Sequence, residues 1–301
     1  MISLENVQKK FGARLAVDRL TLSVPRGEIF GLLGHNGAGK STAIGMMLGQ
    51  VWPTRGEVKV CGHDVTTQRA KALEKVGAIF ETPAFYDYLS GRRNLEILSH
   101  YSSPTSPHRI REVVEWVGLT GREDSKVRTY SHGMRARLAI AQALLPRPEL
   151  LILDEPGSGL DPEGIAEMRQ TIGQLHREMG LTILLSSHLL GEVEQLCTRI
   201  AVLNQGRKVF EGRVADAIAV RGRVLLKTPD FPAATKRLRE QGAISGAAGD
   251  KAIILNDGRT IAEIVKILVD AGIPVEGVWP EEQTLEDFYL NLVKPGSPEP
   301  D

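Results

Sequence analysis

The sequence predicts an α/β fold with a mainly parallel sheet, an inserted helical subdomain and a second, smaller α/β unit. Three observations carry that prediction. Short apolar blocks without polar alternation, "EIFGLLG" (28–34), "LLILDEP" (150–156) and "TILLSSH" (182–188), read as strands covered on both faces. Segments of helical spacing lie between them, as parallel strands require. The character then changes twice, to uninterrupted helical spacing from about 85 to 148 and to a new strand–helix alternation near 220.

The first block runs straight into "GHNGAGKST", Gly34 to Thr42. Gly34, Gly39, Lys40 and Ser41 fit G-x-x-x-x-G-K-[ST], with a strand before and the helical "STAIGMMLGQV" after. Glycines allow positive φ and bring backbone N–H groups against phosphate oxygens. The next helix begins at the phosphates, where its dipole favours negative charge. Lys40 is placed to reach the β- and γ-phosphates, and Ser41 to offer a hydroxyl to Mg²⁺. A chance Gly-rich turn is the alternative, and the strand–loop–helix context argues against it. The stretch therefore predicts a nucleoside triphosphate site.

In the insertion, "NLEILSHY", "RIREVVEWVGL" and "GMRARLAIAQALL" show helical spacing. Ser131 in "YSHGM" is an N-cap candidate, and Gly133 keeps the first turn free of bulk, which makes the helix start a second anion site. A simply well-capped core helix fits the same residues. In "LLILDEP", Asp154 ends a buried strand, where a carboxylate can hold Mg²⁺. Glu155 follows directly and can address a different atom, the attacking water, as general base. An N-cap or a surface turn is the other reading of two acids at a strand end. "EGIAEMRQTIGQLHREMG" reads as a helix leading to the strand "TILLSSH".

Beyond 220, "GRVLLKT" and "KAIILND" read as strands, and "AATKRLREQG" and "RTIAEIVKILVDAG" as helices. "TLEDFYLNLV" is a final helix that Thr284 is placed to cap, with Asp287 in its first turn. The expected organisation is a domain over 1–219, with its helical subdomain at about 85–148, an accessory α/β domain over 220–294, and a disordered tail over 295–301.

Composition sets limits. Of 301 residues, 42% are apolar and 25% charged, which suits an ordinary globular chain with a sizeable core. Lys+Arg and Asp+Glu both number 37, a balance that argues against a nucleic-acid footprint. The two cysteines, Cys61 and Cys197, have no metal spacing and read as reduced thiols. No charged-then-apolar leader opens the chain, and no apolar run of about 18 residues appears, so the expected location is cytoplasmic.

Taken together and in order, "GHNGAGKST", "YSHGM", "LLILDEP", "GSGLDP" and "SSHLL" resemble the ATP-binding cassette ATPases over about 1–215. With "TLEDFYLNLV" in the appendage, the likeness is to bacterial ATP-binding subunits for antibiotic, lantibiotic or bacitracin-like peptide export. The resemblance implies a P-loop NTPase (RecA-like) core and ATP with Mg²⁺. It implies a homodimer, or a dimer with a similar ATPase, that sandwiches the nucleotide, and an integral-membrane permease partner that places the subunit on the inner face of the membrane. Gly34, Asn36, Gly37, Ala38, Gly39, Lys40, Ser41 and Thr42 match the phosphate loop. Phe11, in "KKFGARLAV", matches the aromatic that stacks on adenine, with Val17 nearby; read alone, Phe11 is an apolar strand residue. His188 matches the switch histidine at the γ-phosphate; alone it is a structural histidine. Asp161 matches the loop that signals to the second subunit; alone it caps a turn before Pro162.

Two departures stand out. "YSHGM" replaces the family's usual "LSGGQ", with His132 for a glycine and Met134 for glutamine, while Ser131 and Gly133 are kept. Glu81 stands where the family usually has a glutamine, and is expected to contact metal or water; a solvated loop acid is the other reading. The segment 81–100, with Phe85, Tyr86 and Tyr88, is the expected permease contact, although its aromatics also fit a core. A permease-free cassette ATPase of translation or DNA-repair type and a P-loop kinase are the competing readings. One cassette per chain, no sustained heptads and neutral charge weigh against the first, and "YSHGM" ahead of consecutive Asp154–Glu155 against the second.

Overall fold

A computed structural model describes residues 1–80, 83–102 and 105–293. Two compact units divide the chain: Met1–Val214 with the residues from Leu292 onward, and Ala215–Asn291.

The first unit opens with the hairpin β1 (Ile2–Phe11) and β2 (Arg14–Val24), then β3 (Ile29–Leu33) and α1 (Lys40–Met47). β4 (Arg55–Val60), β5 (His63–Asp64), α2 (Arg69–Leu73) and β6 (Val76–Ile79) follow. The helical insertion holds α3 (Gly91–Ser102), α4 (Pro107–Trp116) and α5 (His132–Leu144). The chain returns through β7 (Leu150–Asp154), α6 (Pro162–Met179), β8 (Thr182–Ser187) and α7 (Leu190–Leu196), and closes the unit with the hairpin β9 (Arg199–Asn204) and β10 (Arg207–Arg213).

Two sheets result. One is antiparallel, in the order β2-β1-β4-β5; the other has six strands, in the order β10-β9-β3-β8-β7-β6, parallel except for β10. Every residue of β3, β7 and β8 is buried, which is why these three read as uninterrupted apolar blocks. The core joins both sheets through α1: Leu4, Leu20 and Val58 from the antiparallel sheet meet Ile44 and Met46 of the helix and Phe30, Leu32 and Leu184 of the parallel one. In the insertion the α5 C-terminus is held by Arg109, a buried guanidinium that donates to the Leu144 carbonyl and pairs with Glu112 at 3.0 Å. Cys197 is buried and Cys61 partly so; burial raises the pKa of both thiols, so both stay protonated and inert.

The second unit runs through α8 (Val214–Ile218), β11 (Ala219–Lys227), α9 (Phe231–Glu240), β12 (Ile244–Ala248), β13 (Ala252–Leu255), α10 (Ile261–Asp270), β14 (Gly277–Glu282) and α11 (Leu285–Val293). Its strands form an antiparallel sheet in the order β12-β13-β11-β14, a split β-α-β arrangement of ferredoxin-like type. Val224, Leu226 and Ile253 meet Ala234, Leu238, Ile264 and Leu268 of α9 and α10 in its own core. A capping box at Thr260 and Glu263 starts α10, and Thr284 accepts from the Asp287 N–H at 3.1 Å at the start of α11. The tail expected at 295–301 lies outside the described residues.

Candidate functional site

β3, β8 and β7 are parallel neighbours, so their C-terminal ends lie side by side. The glycine-rich loop leaves β3, Asp154 ends β7, and His188 follows β8. Residues far apart in sequence therefore meet along one sheet edge, the usual ligand position in open α/β sheets.

The loop between Leu33 and Lys40 is fixed by close backbone packing. A Cβ on Gly34 would lie 2.6 Å from the Leu203 carbonyl oxygen. Gly39 has φ +105° as the residue before α1, and a Cβ there would stand 2.8 Å from the Ala16 carbonyl oxygen. Ala38 is fully buried and its carbonyl accepts from the Gly206 N–H at 2.9 Å, so the β9–β10 hairpin tip buttresses the loop. Arg207 at that tip bonds Asp18 on β2, at 2.8 and 2.9 Å, and these hydrogen bonds hold the Asp18 carboxyl below its ordinary pKa. Lys40 is 5% exposed, and its Nζ donates to the Gly34 carbonyl at 2.6 Å inside the loop it follows.

A cavity of about 460 Å³ opens over this loop. Asn36, Gly37, Gly39, Lys40, Ser41 and Thr42 line its floor, Phe11 one end, and Glu155 and His188 another wall. Phe11 is half exposed, with the Lys9 ammonium 4.8 Å from its ring centre. Glu155 reaches both sides: Oε1 lies 3.3 Å from Lys40 Nζ and Oε2 lies 2.5 Å from His188 Nδ1. An ionised carboxylate only accepts, so Nδ1 carries the hydrogen of that bond. Glu155 has φ +51°, a left-handed backbone rare for a side chain of its size. That turn lets two consecutive acids diverge. Asp154 is 6% exposed and joins Ser41 and Glu155 in lining a second cavity, of about 740 Å³, whose other side carries Tyr130, His132 and Arg135.

Other expected site residues sit elsewhere. Ser131 caps α5, accepting from the Met134 N–H at 3.2 Å, and neither it nor Gly133 lines the Lys40 cavity. Asp161 caps α6, accepting from the Gly164 N–H at 2.9 Å, and also lies off that cavity. Val17 and Ala38 are core residues beside the loop, with Val17 against Gly39. Glu81 lies outside the described residues. Tyr86 and Tyr88 are exposed, which removes the core reading of these two aromatics.

The ABC transporter family model matches residues 17–158. An uncharacterised ABC transporter ATP-binding protein of Bacillus subtilis is 39% identical, over 97% of this chain and 95% of its own. The chain belongs to the ABC transporter ATP-binding family. A bacitracin transport ATP-binding protein of Enterococcus faecalis is 37% identical, over 98% of this chain and 97% of its own. The structure of a dimeric bacterial ABC transporter cassette matches with a TM-score of 0.63 at 26% identity, over 71% of this chain and 99% of that one. As a family member the protein is an ATPase, binding ATP and releasing ADP.

For an ABC ATPase, the cavity contains groups that motif reading passes over. Arg14 opposes Phe11 across the β1–β2 turn and lines the same cavity, its guanidinium 3.8 Å from where a Gly37 Cβ would stand. His35 and Ser158 line it too. The two-residue turn after Phe11 was the available signal for Arg14, since directly opposed residues of a hairpin share a face. Ser186, fully buried between the two acids, gave no signal inside its apolar block.

Proposed function

We propose that this ATPase powers a separately encoded membrane permease that exports a drug, a peptide antibiotic or a lipid-like compound. The observation that carries the catalytic half is the meeting of Lys40, Glu155 and His188 at one cavity. The transport half rests on the bacitracin transport relative, whose likeness spans the second unit as well as the cassette.

In this reading Phe11 stacks on adenine, and the backbone from Asn36 to Thr42 wraps the phosphates at the α1 N-terminus. Lys40 leaves the Gly34 carbonyl for phosphate oxygens. His188 meets the γ-phosphate, and Glu155, freed from both partners, takes the proton of the attacking water. Positioning and charge stabilisation carry most of such a transfer. Ser41 and Asp154 fit Mg²⁺: a hydroxyl and a carboxylate are hard oxygen donors on one cavity, and among the described residues no cluster of three His, Cys, Asp or Glu cages a cation. One or two protein oxygens plus phosphates suit that ion. When bound, Mg²⁺ neutralises charge on the β- and γ-phosphates. Glu81 stays in this proposal as a metal or water contact.

A second copy completes the site. The α5 N-terminus, with Ser131 and Gly133, is off the Lys40 cavity of its own chain, so a partner copy delivers it to the γ-phosphate, with Asp161 facing the junction. The permease contact is the segment holding Tyr86 and Tyr88, whose rings meet edge-on at 6.1 Å. Fully buried Asn94 grips the Tyr86 backbone from both sides, accepting from its N–H at 2.8 Å and donating to its carbonyl at 3.1 Å. Asp87 pairs with Arg135 of α5 at 2.8 Å, which ties this segment to the same helix. No helix among the described residues is long and apolar enough to cross a membrane. By its likeness to transporter ATP-binding subunits, the subunit is read as peripheral, on the cytoplasmic face, held there by its permease.

The test is Glu155→Gln with Mg²⁺ and ATP. A stable ATP-bound dimer by gel filtration is expected, and a variant that stays monomeric at saturating ATP defeats the sandwich reading. Co-purification of the wild-type chain with a membrane protein separates the transporter reading from a permease-free ATPase.

A further inference from the structure

The structure assigns to Ser186 the role of positioning residue for both acids of the hydrolytic site. Ser186 stands opposite Asp154 in the β7–β8 register and is fully buried. Its hydroxyl has two partners and serves each in a different sense. Oγ donates to Asp154 Oδ1 at 2.5 Å and accepts from the Glu155 backbone N–H at 2.9 Å. One atom thus fixes the rotamer of the first acid and the backbone of the second.

The need for such a clip follows from the backbone. Glu155 sits at φ +51° with a Cβ to accommodate, a conformation that persists only where its surroundings over-determine it. It is this turn that sends Asp154 towards Ser41 while Glu155 points to Lys40 and His188. Without the hydroxyl, the Glu155 N–H is left without its bond, and the strained turn loses the contact that holds it. Donation to Oδ1 occupies one oxygen of the Asp154 carboxylate and leaves Oδ2 for another partner. Ser186 lines neither cavity, so it acts through the two acids that do. Neighbouring Ser187 has a different task, accepting from the Leu189 N–H at 2.9 Å.

The test is a set of Ser186 variants of the full chain, read by steady-state ATPase kinetics and by nucleotide binding in EDTA. Ser186→Ala is expected to lower kcat at least tenfold, with KM for ATP and metal-free ATP affinity within threefold of wild type. Ser186→Thr, which keeps the hydroxyl on a residue suited to strands, is expected to recover most of the loss. In a Glu155→Gln background, the loss on Ser186→Ala in single-turnover hydrolysis is expected to shrink to the part carried by Asp154, because one of the two groups it aims is already gone. Wild-type turnover for Ser186→Ala overturns the assignment, as does an equal loss in the Glu155→Gln background, or a Thr variant as poor as Ala. If Ser186→Ala does not fold, Ser186→Cys is used, and full turnover by that weakly bonding thiol overturns the assignment equally. The ATPase itself is controlled by Lys40→Ala, so a failure of the clip is distinguishable from a misread site.

Discussion

Glu155 Oε2 lies 2.5 Å from His188 Nδ1 while Oε1 lies 3.3 Å from Lys40 Nζ, so the acid read as general base bridges the two groups read as phosphate ligands. In this arrangement each of the three groups satisfies another. Under the proposed function, a triphosphate in the cavity is expected to supply Lys40 and His188 with a stronger anion and release the carboxylate for water.

His188→Ala tests that exchange. Removing the imidazole deletes one phosphate ligand and leaves Glu155 paired with Lys40 alone. The expected result is a fall in kcat of about 10²-fold, the lower range for losing one donor aimed at developing charge, with ATP affinity little changed. A KM effect without a kcat effect in steady-state assays would show that His188 serves binding only.

Gly39→Ala probes the loop itself. The new Cβ would stand 2.8 Å from the Ala16 carbonyl oxygen at a φ of +105°. Strain of this kind costs about 1–3 kcal/mol, and relief by moving the loop displaces Lys40. A lower melting temperature in nucleotide-free buffer and loss of ATP binding are expected together. Gly180→Ala, at a φ of +65° with open space around it at the end of α6, is the control that keeps ATP binding.

Arg14→Ala addresses a residue outside the motifs. Its guanidinium lines the cavity beside Gly37 and has no ion-pair partner among the described residues. Guanidinium forks suit phosphate, and charge-assisted hydrogen bonds contribute about 1.5–3 kcal/mol. ATP binding is expected to weaken about tenfold or more with kcat nearly intact; isothermal calorimetry with the Glu155→Gln protein isolates that step.

How far the sequence reaches is clearest at this site. β3, β7 and β8 are legible because both faces are buried, so their residues form plain apolar blocks. β2 alternates cleanly over Leu20–Val24, but β1 and the first half of β2 carry register shifts and mixed burial, and Arg14 was lost with them. Lys40 and the Asp154–Glu155 pair could be read because each depends on neighbours in the chain. The Gly206–Ala38 bond and the Ser186 clip join residues 168 and 31 positions apart or more, and only the fold brings them together. The second unit's strands and helices were legible singly, but its sheet order rests on pairing across the whole unit.

Acid stability should register Asp18. Hydrogen bonds from Arg207, together with Gln8, hold its folded-state pKa below the unfolded value of about 3.9. The native state therefore binds fewer protons than the unfolded one near that pH. The contribution is fully present above the unfolded value and is lost as pH falls through the folded one. Asp18→Asn is expected to flatten the melting-temperature profile between about pH 5 and pH 3. An unchanged slope would show that the bond between β2 and the β9–β10 tip adds nothing to stability.

Arg109 provides the strongest test of the helical insertion. The guanidinium is buried where α5 ends, and Leu144 at that end offers a carbonyl with no further turn to bond. Positive charge at a helix C-terminus is favoured by the dipole, and Glu112, at 3.0 Å, balances it. Arg109→Leu fills the space but leaves the buried carbonyl at the α5 end without its donor, while Glu112 keeps Arg147 at 3.3 Å; an unsatisfied buried acceptor costs about 1–3 kcal/mol. Glu112→Gln removes only the balancing charge and leaves the carbonyl bonded, so it is expected to be more stable than Arg109→Leu. Chemical denaturation of the three proteins checks the order. An Arg109→Leu protein as stable as wild type would mean that the α4–α5 junction is held by its apolar contacts, with Ile110, Val113 and Val114 of α4 sufficient on their own.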